Sequence, residues 1–232
     1  KNTGLQTGNL NKHVYRLNLA PSGNLYAMIT GANTTEGILD GGIYVSSDGA
    51  ESWSFVGPHE SNLRKWVTSF TFGESEQEIY CTTVTAWGNS SKGGLHRTLD
   101  GGRTWETIFD DAALKACNAE DGVEMTYDHY MSVYVEGDFI MLGGTRSGCT
   151  FSYDRGKSWK SWTEFPFSSV QSINKLSDGR LALTSFGAGI FFTAFPPRSG
   201  HTAVRTGKLI ARPAPVQQTG AGRAVNSEVS ET

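Results

Sequence analysis

An eight-residue phrase occurs three times in this chain and limits the available folds more than any other feature. It reads Ser46-Ser47-Asp48-Gly49-Ala50-Glu51-Ser52-Trp53, then Thr98-Leu99-Asp100-Gly101-Gly102-Arg103-Thr104-Trp105, then Ser152-Tyr153-Asp154-Arg155-Gly156-Lys157-Ser158-Trp159. The shared pattern is Ser/Thr-x-Asp-x-x-x-Ser/Thr-Trp, with glycine at one or both positions after the Asp. The three Asp residues stand 52 and 54 residues apart. Self-similarity at a nearly fixed period of that size belongs to an array of like units, none of which buries its apolar surface alone.

Each phrase is turn chemistry between two strands. An Asp side chain bonds the backbone just ahead of it, and glycine takes positive φ at little cost. Short runs with turn residues ahead of them precede the phrases: Gly41-Gly42-Ile43-Tyr44-Val45, Gly93-Gly94-Leu95-His96-Arg97 and Ser147-Gly148-Cys149-Thr150-Phe151. Runs of this kind read as strands. Trp53, Trp105 and Trp159 open the next strand and offer large rings for packing. Asp48, Asp100 and Asp154 therefore read as structural, with a catalytic role the lesser alternative.

Every period has room for four strands. The first unit reads as strands over 13–20, 24–30, 42–47 and 52–57, and the second over 65–72, 78–86, 94–98 and 104–109. The third reads over 129–136, 138–143, 148–152 and 158–162. The fourth offers only three, over 169–175, 180–185 and 189–195, before Pro196-Pro197. The fold class is all-β.

The repeated phrases resemble Asp-boxes, or BNR repeats, which recur in the β-propellers of sialidases, xyloglucan-degrading endoglucanases, sortilin-type receptors and photosystem assembly factors. The resemblance covers roughly residues 13 to 193. It implies a β-propeller of four-stranded antiparallel blades with Asp-box hairpins. Blade ends fall near Trp53, Trp105 and Trp159, and the last blade is incomplete. Lys1 to Leu10 resembles the end of a preceding blade's outer strand. The simplest account is four blades of a larger propeller of about six to eight, with a closed four-bladed ring as the alternative. Residues 1–197 are then blades. Residues 198–232, rich in Pro, Gly, Gln, Ser and Thr, read as a disordered tail or linker.

Composition excludes several classes. The formal charge of −3 comes with no basic stripe, which argues against nucleic acid. No stretch approaches about 18 apolar residues, so no membrane span is expected. Cys81, Cys117 and Cys149 lack metal-ligand spacing, and an odd number cannot form a full disulfide framework. Cys81 and Cys149 read as buried strand thiols and Cys117 as a loop residue. No metal or cofactor motif is visible. The chain opens at Lys1 without Met or leader, which reads as a processed or truncated piece.

In such a blade the Asp turns lie on one rim. Loops between the second and third strands, and between blades, lie on the other, where a rigid scaffold can carry binding residues. The longest loop, 110–128, breaks the repeat, as functional loops do, and Ala112-Ala113-Leu114-Lys115-Ala116 within it reads as one helical turn. Its candidates are Glu124, Tyr127, Asp128 and the adjoining His129. A carboxylate pair there suits a general acid and base on a glycosidic bond. A Tyr/His pair with an Arg suits proton abstraction beside a uronic carboxylate. The plain alternative is a solvated acidic loop. Arg64 and Arg146 are candidate carboxylate-binding forks, and Trp87 is a candidate sugar platform or a core ring.

No Arg-Ile-Pro-like start or assignable Arg triad matches the sialidases, so that activity is unsupported. Gly41-Gly42-Ile43-Tyr44-Val45-Ser46-Ser47-Asp48-Gly49 is closer to the xyloglucan-degrading enzymes, although their catalytic Asp pair has no matching motif here. The resemblance implies a secreted, extracellular or periplasmic, carbohydrate-active propeller of glycoside hydrolase type, with a carbohydrate partner. A non-catalytic receptor or assembly-factor propeller is the alternative. Self-association through open blade edges is also expected.

Overall fold

The structure is a computed structural model that describes residues 3–5, 14–34, 37–39, 41–64, 66–85, 93–120, 127–163, 165–196 and 208–210. Glu124, Trp87 and most of the proposed tail lie outside these residues.

Four antiparallel sheets of four strands account for nearly all of the regular structure. The first contains β1 (Val14–Leu19), β2 (Leu25–Ile29), β5 (Gly42–Ser46) and β6 (Ser54–Gly57), with the small hairpin β3 (Ala32–Thr34) and β4 (Gly37–Leu39) inserted after β2. A short helix, α1 (Ser61–Arg64), leads to the second sheet: β7 (Val67–Phe72), β8 (Ile79–Thr83), β9 (Gly94–Thr98) and β10 (Glu106–Asp110). Helix α2 (Asp111–Glu120) precedes the third: β11 (Tyr130–Glu136), β12 (Phe139–Gly144), β13 (Cys149–Ser152) and β14 (Lys160–Ser161). The fourth has β15 (Ser172–Lys175), β16 (Leu181–Ser185), β17 (Gly189–Thr193) and β18 (Lys208–Ile210). Each sheet is a meander that runs from an inner to an outer strand, as a propeller blade does.

Two expectations change. The fourth blade has its outer strand: β18 pairs antiparallel with β17, Phe192 opposite Lys208 and Ile190 opposite Ile210. It arises within the segment read as a tail, and it carries neither an Asp turn nor a Trp to announce it. The 110–128 loop begins with a ten-residue helix rather than a single turn. Asp110 caps that helix, its carboxylate accepting from the Ala113 N–H at 2.9 Å. Cys117 is consequently buried on α2.

The core lies in layers between blades. Met28, Ile43 and Val56 of the first blade pack on Phe70, Ile79 and Cys81 of the second. Tyr80, Leu95 and Phe109 meet Tyr130, Ile140 and Leu142 of the third, with Leu114 of α2. Met141, Phe151 and Trp162 meet Ile173, Leu181 and Leu183 of the fourth. Strands β8 and β12 are therefore buried along their whole length, since blades cover both of their faces. The outward face of the first blade differs: Tyr15, Leu17 and Leu19 are 56%, 59% and 69% exposed.

The three repeated turns are superposable in their bonding. In the first, Asp48 accepts from Ser46 Oγ at 2.8 Å, Ser52 N at 2.9 Å and Ser52 Oγ at 2.6 Å. Asp100 does the same with Thr98 and Thr104, and Asp154 with Ser152 and Ser158. Hydrogen bonds from Ser52 and Thr104 hold the carboxyls of Asp48 and Asp100 down at about 2. For Asp154, partial burial opposes the shift but Ser158 and Ser152 prevail, and the direction is again downward. These acids are occupied within their own turns.

The Trp of each turn reaches back to the preceding blade. Trp105 Nε1 donates to Val56 O at 3.4 Å, and Trp159 Nε1 to Ile108 O at 3.2 Å. The backbone at Gly57 lies against the Trp105 indole so closely that a Cβ there would meet Nε1 at 2.2 Å. At the first blade residues 3–5 lie against the backbone of the turn instead. Trp53 N donates to Thr3 O at 2.9 Å, and Leu5 packs with Trp53, Ala27 and Tyr44.

Candidate functional site

Two rims follow from the strand order. The repeated turns share a rim with the β7–β8 and β11–β12 turns: Gly101 N donates to Gln77 O, and Arg155 N to Asp138 O. The opposite rim is built from the ends of β8, β10 and β12 and the beginning of β11. Here Val84 bridges His129, and Thr145 N donates to His129 O at 3.0 Å.

Asp128 organises this rim. It is fully buried, and its carboxylate accepts from four backbone N–H groups, those of His129, Thr145, Arg146 and Ser147. The hydroxyls of Thr145 and Ser147 add bonds of 2.9 and 2.5 Å. The β12–β13 loop is wrapped around one side chain, and Gly144 permits it: a Cβ there would lie 2.1 Å from Asp128 Oδ2. A carboxylate so occupied has little capacity left to move a proton. Its geometry is that of an anchor that sets Arg146 on the rim.

Three of the sequence candidates meet above this anchor. The Arg146 guanidinium lies over the Tyr127 ring at 4.8 Å. Tyr127 stands edge-on to His129, ring centres 6.1 Å apart. Arg146 and Tyr127 are exposed, and Arg146 has no carboxylate partner among the described residues. On its other side Arg146 borders a cleft of about 240 Å³ formed by α2, the third blade and the segment that follows β14. Trp162, Phe165 and Phe167 line the cleft together with Asn118 and Ser161.

Arg64 does not join this group. Its Nε donates to Gly41 O at 3.0 Å, and its guanidinium covers Phe55 at 4.2 Å, so it clasps the loop ahead of β5.

Asp111 is a residue of this rim that the sequence reading passed over. As the first residue of α2 it sits half-buried beside His129. Its Oδ2 accepts from Thr85 Oγ1 at 3.0 Å, while Oδ1 is buried without a partner. Burial pushes its carboxyl up, with a further push from Asp110, and the Thr85 bond, the Asp128 backbone N–H and His129 only partly offset this. Nδ1 of His129 and the Tyr130 hydroxyl are likewise buried and unpaired. The available signal was the Asp110-Asp111 pair ahead of an alanine-rich run, which marks a helix start and fixes where the second Asp stands.

Among the described residues no helix is long and apolar enough to cross a membrane.

No family model matches the chain, and no curated protein matches it. Solved structures do. The GH74 xyloglucanase from Xanthomonas campestris is similar at 16% identity, over 87% of this chain and 31% of that one, with a TM-score of 0.54. YCF48 from Cyanidioschyzon merolae is similar at 12% identity, over 84% and 55%, with a TM-score of 0.55. The extracellular domain of BT4673 from B. thetaiotaomicron is similar at 13% identity, over 83% and 21%, with a TM-score of 0.53. The chain thus spans from about a fifth to about half of these neighbours' lengths. Likeness at such identity concerns the fold, and one fold hosts many activities. Together with the four sheets, it establishes the chain as four blades of a β-propeller.

Proposed function

We propose that this chain belongs to a secreted, carbohydrate-active propeller of the glycoside-hydrolase-like, Asp-box kind, which takes a poly- or oligosaccharide on the loop rim. The observation that carries the reading is the Arg146–Tyr127–His129 stack beside the aromatic cleft. Aromatic faces bury the C–H surface of a sugar ring, while neighbouring amides and hydroxyls bond its rim. In the cleft Asn118 and Ser161 are buried and bonded to each other, so the partly exposed Phe167 offers the ring face and Thr163 and Ser168 the hydroxyls. Within this reading Arg146 and Tyr127 bind, and Asp111 is the proton donor, since a carboxyl raised by burial is what a general acid requires. Glu124 remains the proposed second carboxylate, and Asp128 holds the rim in shape. Similarity to a xyloglucanase and to the extracellular domain of BT4673 supports the substrate class and an extracellular or periplasmic site.

A non-catalytic binding propeller is the second reading. It is favoured by the engagement of Asp128, which removes one of the two carboxylates that hydrolysis would use. A polysaccharide panel separates the two, with binding and reducing-sugar release followed side by side. Release that is lost in Asp111→Asn while binding persists supports the enzyme. Binding that is lost in Arg146→Ala and Tyr127→Ala, with no release from the parent, supports recognition alone. If the parent neither binds nor releases sugar, the carbohydrate reading falls.

A further inference from the structure

The inner strands β1, β7, β11 and β15 surround a second cavity, away from the loop rim. It has a volume of about 170 Å³ and is lined by Arg16, Asn18, Ser69, Ser132, Ser172 and Asn174, among others. Arg16 is the charge in this polar space. Its Nε donates to Thr68 O at 2.9 Å and its Nη2 to Met131 O at 3.0 Å. Both acceptors occupy equivalent places, the residues skipped where the pairing of β7 with β8 and of β11 with β12 shifts register. The same irregularity precedes Arg16 on β1. One guanidinium therefore joins the inner strands of three blades.

That fastening uses only part of the side chain. Arginine carries five N–H donors and one charge, and both acceptors here are neutral carbonyls. Among the described residues no carboxylate pairs with Arg16. Burial lowers its pKa, opposed in part by the Tyr15 phenol and by no carboxylate. A partly desolvated cation with only neutral partners is poorly compensated, and an anion is its natural complement. The amides of Asn18 and Asn174 donate one N–H each to Phe70 O and Ser172 Oγ, and their second N–H suits the same guest. The cavity is below the roughly 300–1,000 Å³ of drug-sized sites, so the guest is small.

We propose that this axial cavity binds a small oxyanion, a carboxylate or a phosphate, on the free N–H groups of Arg16. Two parallel N–H···O bonds from a guanidinium fork fit the two oxygens of either group. The site is separate from the loop rim and stands whether or not that rim binds sugar.

The test is calorimetric titration of the intact chain with inorganic phosphate and, separately, with malonate, in low-salt buffer. Saturable binding in the millimolar range or tighter is expected for one or both, and the two titrations tell phosphate from carboxylate preference. Asn174→Asp places a carboxylate on the cavity wall and leaves the Arg16 bonds to Thr68 and Met131 in place. It is expected to weaken binding roughly tenfold or more, with an unchanged circular dichroism spectrum. Arg16→Gln is expected to abolish binding. Should Arg16→Gln fail to fold, Asn174→Asp decides alone. Absence of saturable binding in the parent, or undiminished binding in folded Asn174→Asp, overturns the proposal.

Discussion

Ala50 and Arg155 hold φ of 71° and 60° at turn positions where the other copies carry glycine. A Cβ in the left-handed region costs about 1–2 kcal/mol, so Ala50→Gly is expected to raise stability by about 1 kcal/mol after the entropy of the glycine is deducted. Thermal or urea unfolding measures it. Arg155→Gly should gain less, since Arg155 also pairs with Glu78 at 2.5 Å. At Asp128, loss of one charged oxygen strands several buried donors. Asp128→Asn should therefore lower stability by about 2–4 kcal/mol, whatever it does to ligands. The turn acids were legible in the sequence because all their partners lie within four residues. Asp128 was legible only as a candidate proton carrier. Its partners are mostly backbone N–H groups 17 to 19 residues away, which any sequence supplies. Arg16 gave no signal at all, since its acceptors are carbonyls 52 and 115 positions on.

Strand β9 places His96 between two neighbours, Thr83 Oγ1 on β8 at 2.9 Å and Thr107 Oγ1 on β10 at 3.0 Å. Burial pushes its pKa from 6.5 down to about 4. In the unfolded chain the ring takes its proton near its ordinary value, whereas the folded sheet resists until about 4. The unfolded state thus binds more protons between these values, and stability falls as the pH drops from 6.5 towards 4. The loss is on the order of 3 kcal/mol. Urea unfolding at neutral and acidic pH should show the slope, and His96→Gln should flatten it. The Asp turns add a second, lower window. Their carboxyls are depressed to about 2, so their contribution is present above 3.8 and fades as the pH falls towards 2. At this scale twelve strands of the first three blades were foreseen, since alternation and turn residues repeat with the period. The fourth blade's outer strand was not, because Lys208–Ile210 is a three-residue strand with no closing Trp. Helix α2 was foreseen only as one turn, its cap and alanines overshadowed by the strand repeat around it.

Across the molecule, blades two and three are covered on both faces, whereas the first blade leaves Tyr15, Leu17 and Leu19 largely in solvent. Trp53 Nε1 is buried there without the carbonyl that its counterparts Trp105 and Trp159 reach. Such a face invites association. The isolated chain should gain mass with concentration in light scattering, and Leu17→Glu with Leu19→Glu should hold it monomeric. Concentration-independent mass in the parent would remove that expectation. Blade number and order were readable from the period, but the number of turns in a sequence cannot tell which faces are left bare. The same architecture has a mechanical side. Blades that hold only their neighbours should peel from a pulled chain one at a time. Arg16, however, fastens the first blade to the second and the third at once. Under load from the C-terminal end, the fourth blade should come away as a separate small step. The remaining three should then yield together at a higher force, because tearing out the third breaks the clasp that steadies the first.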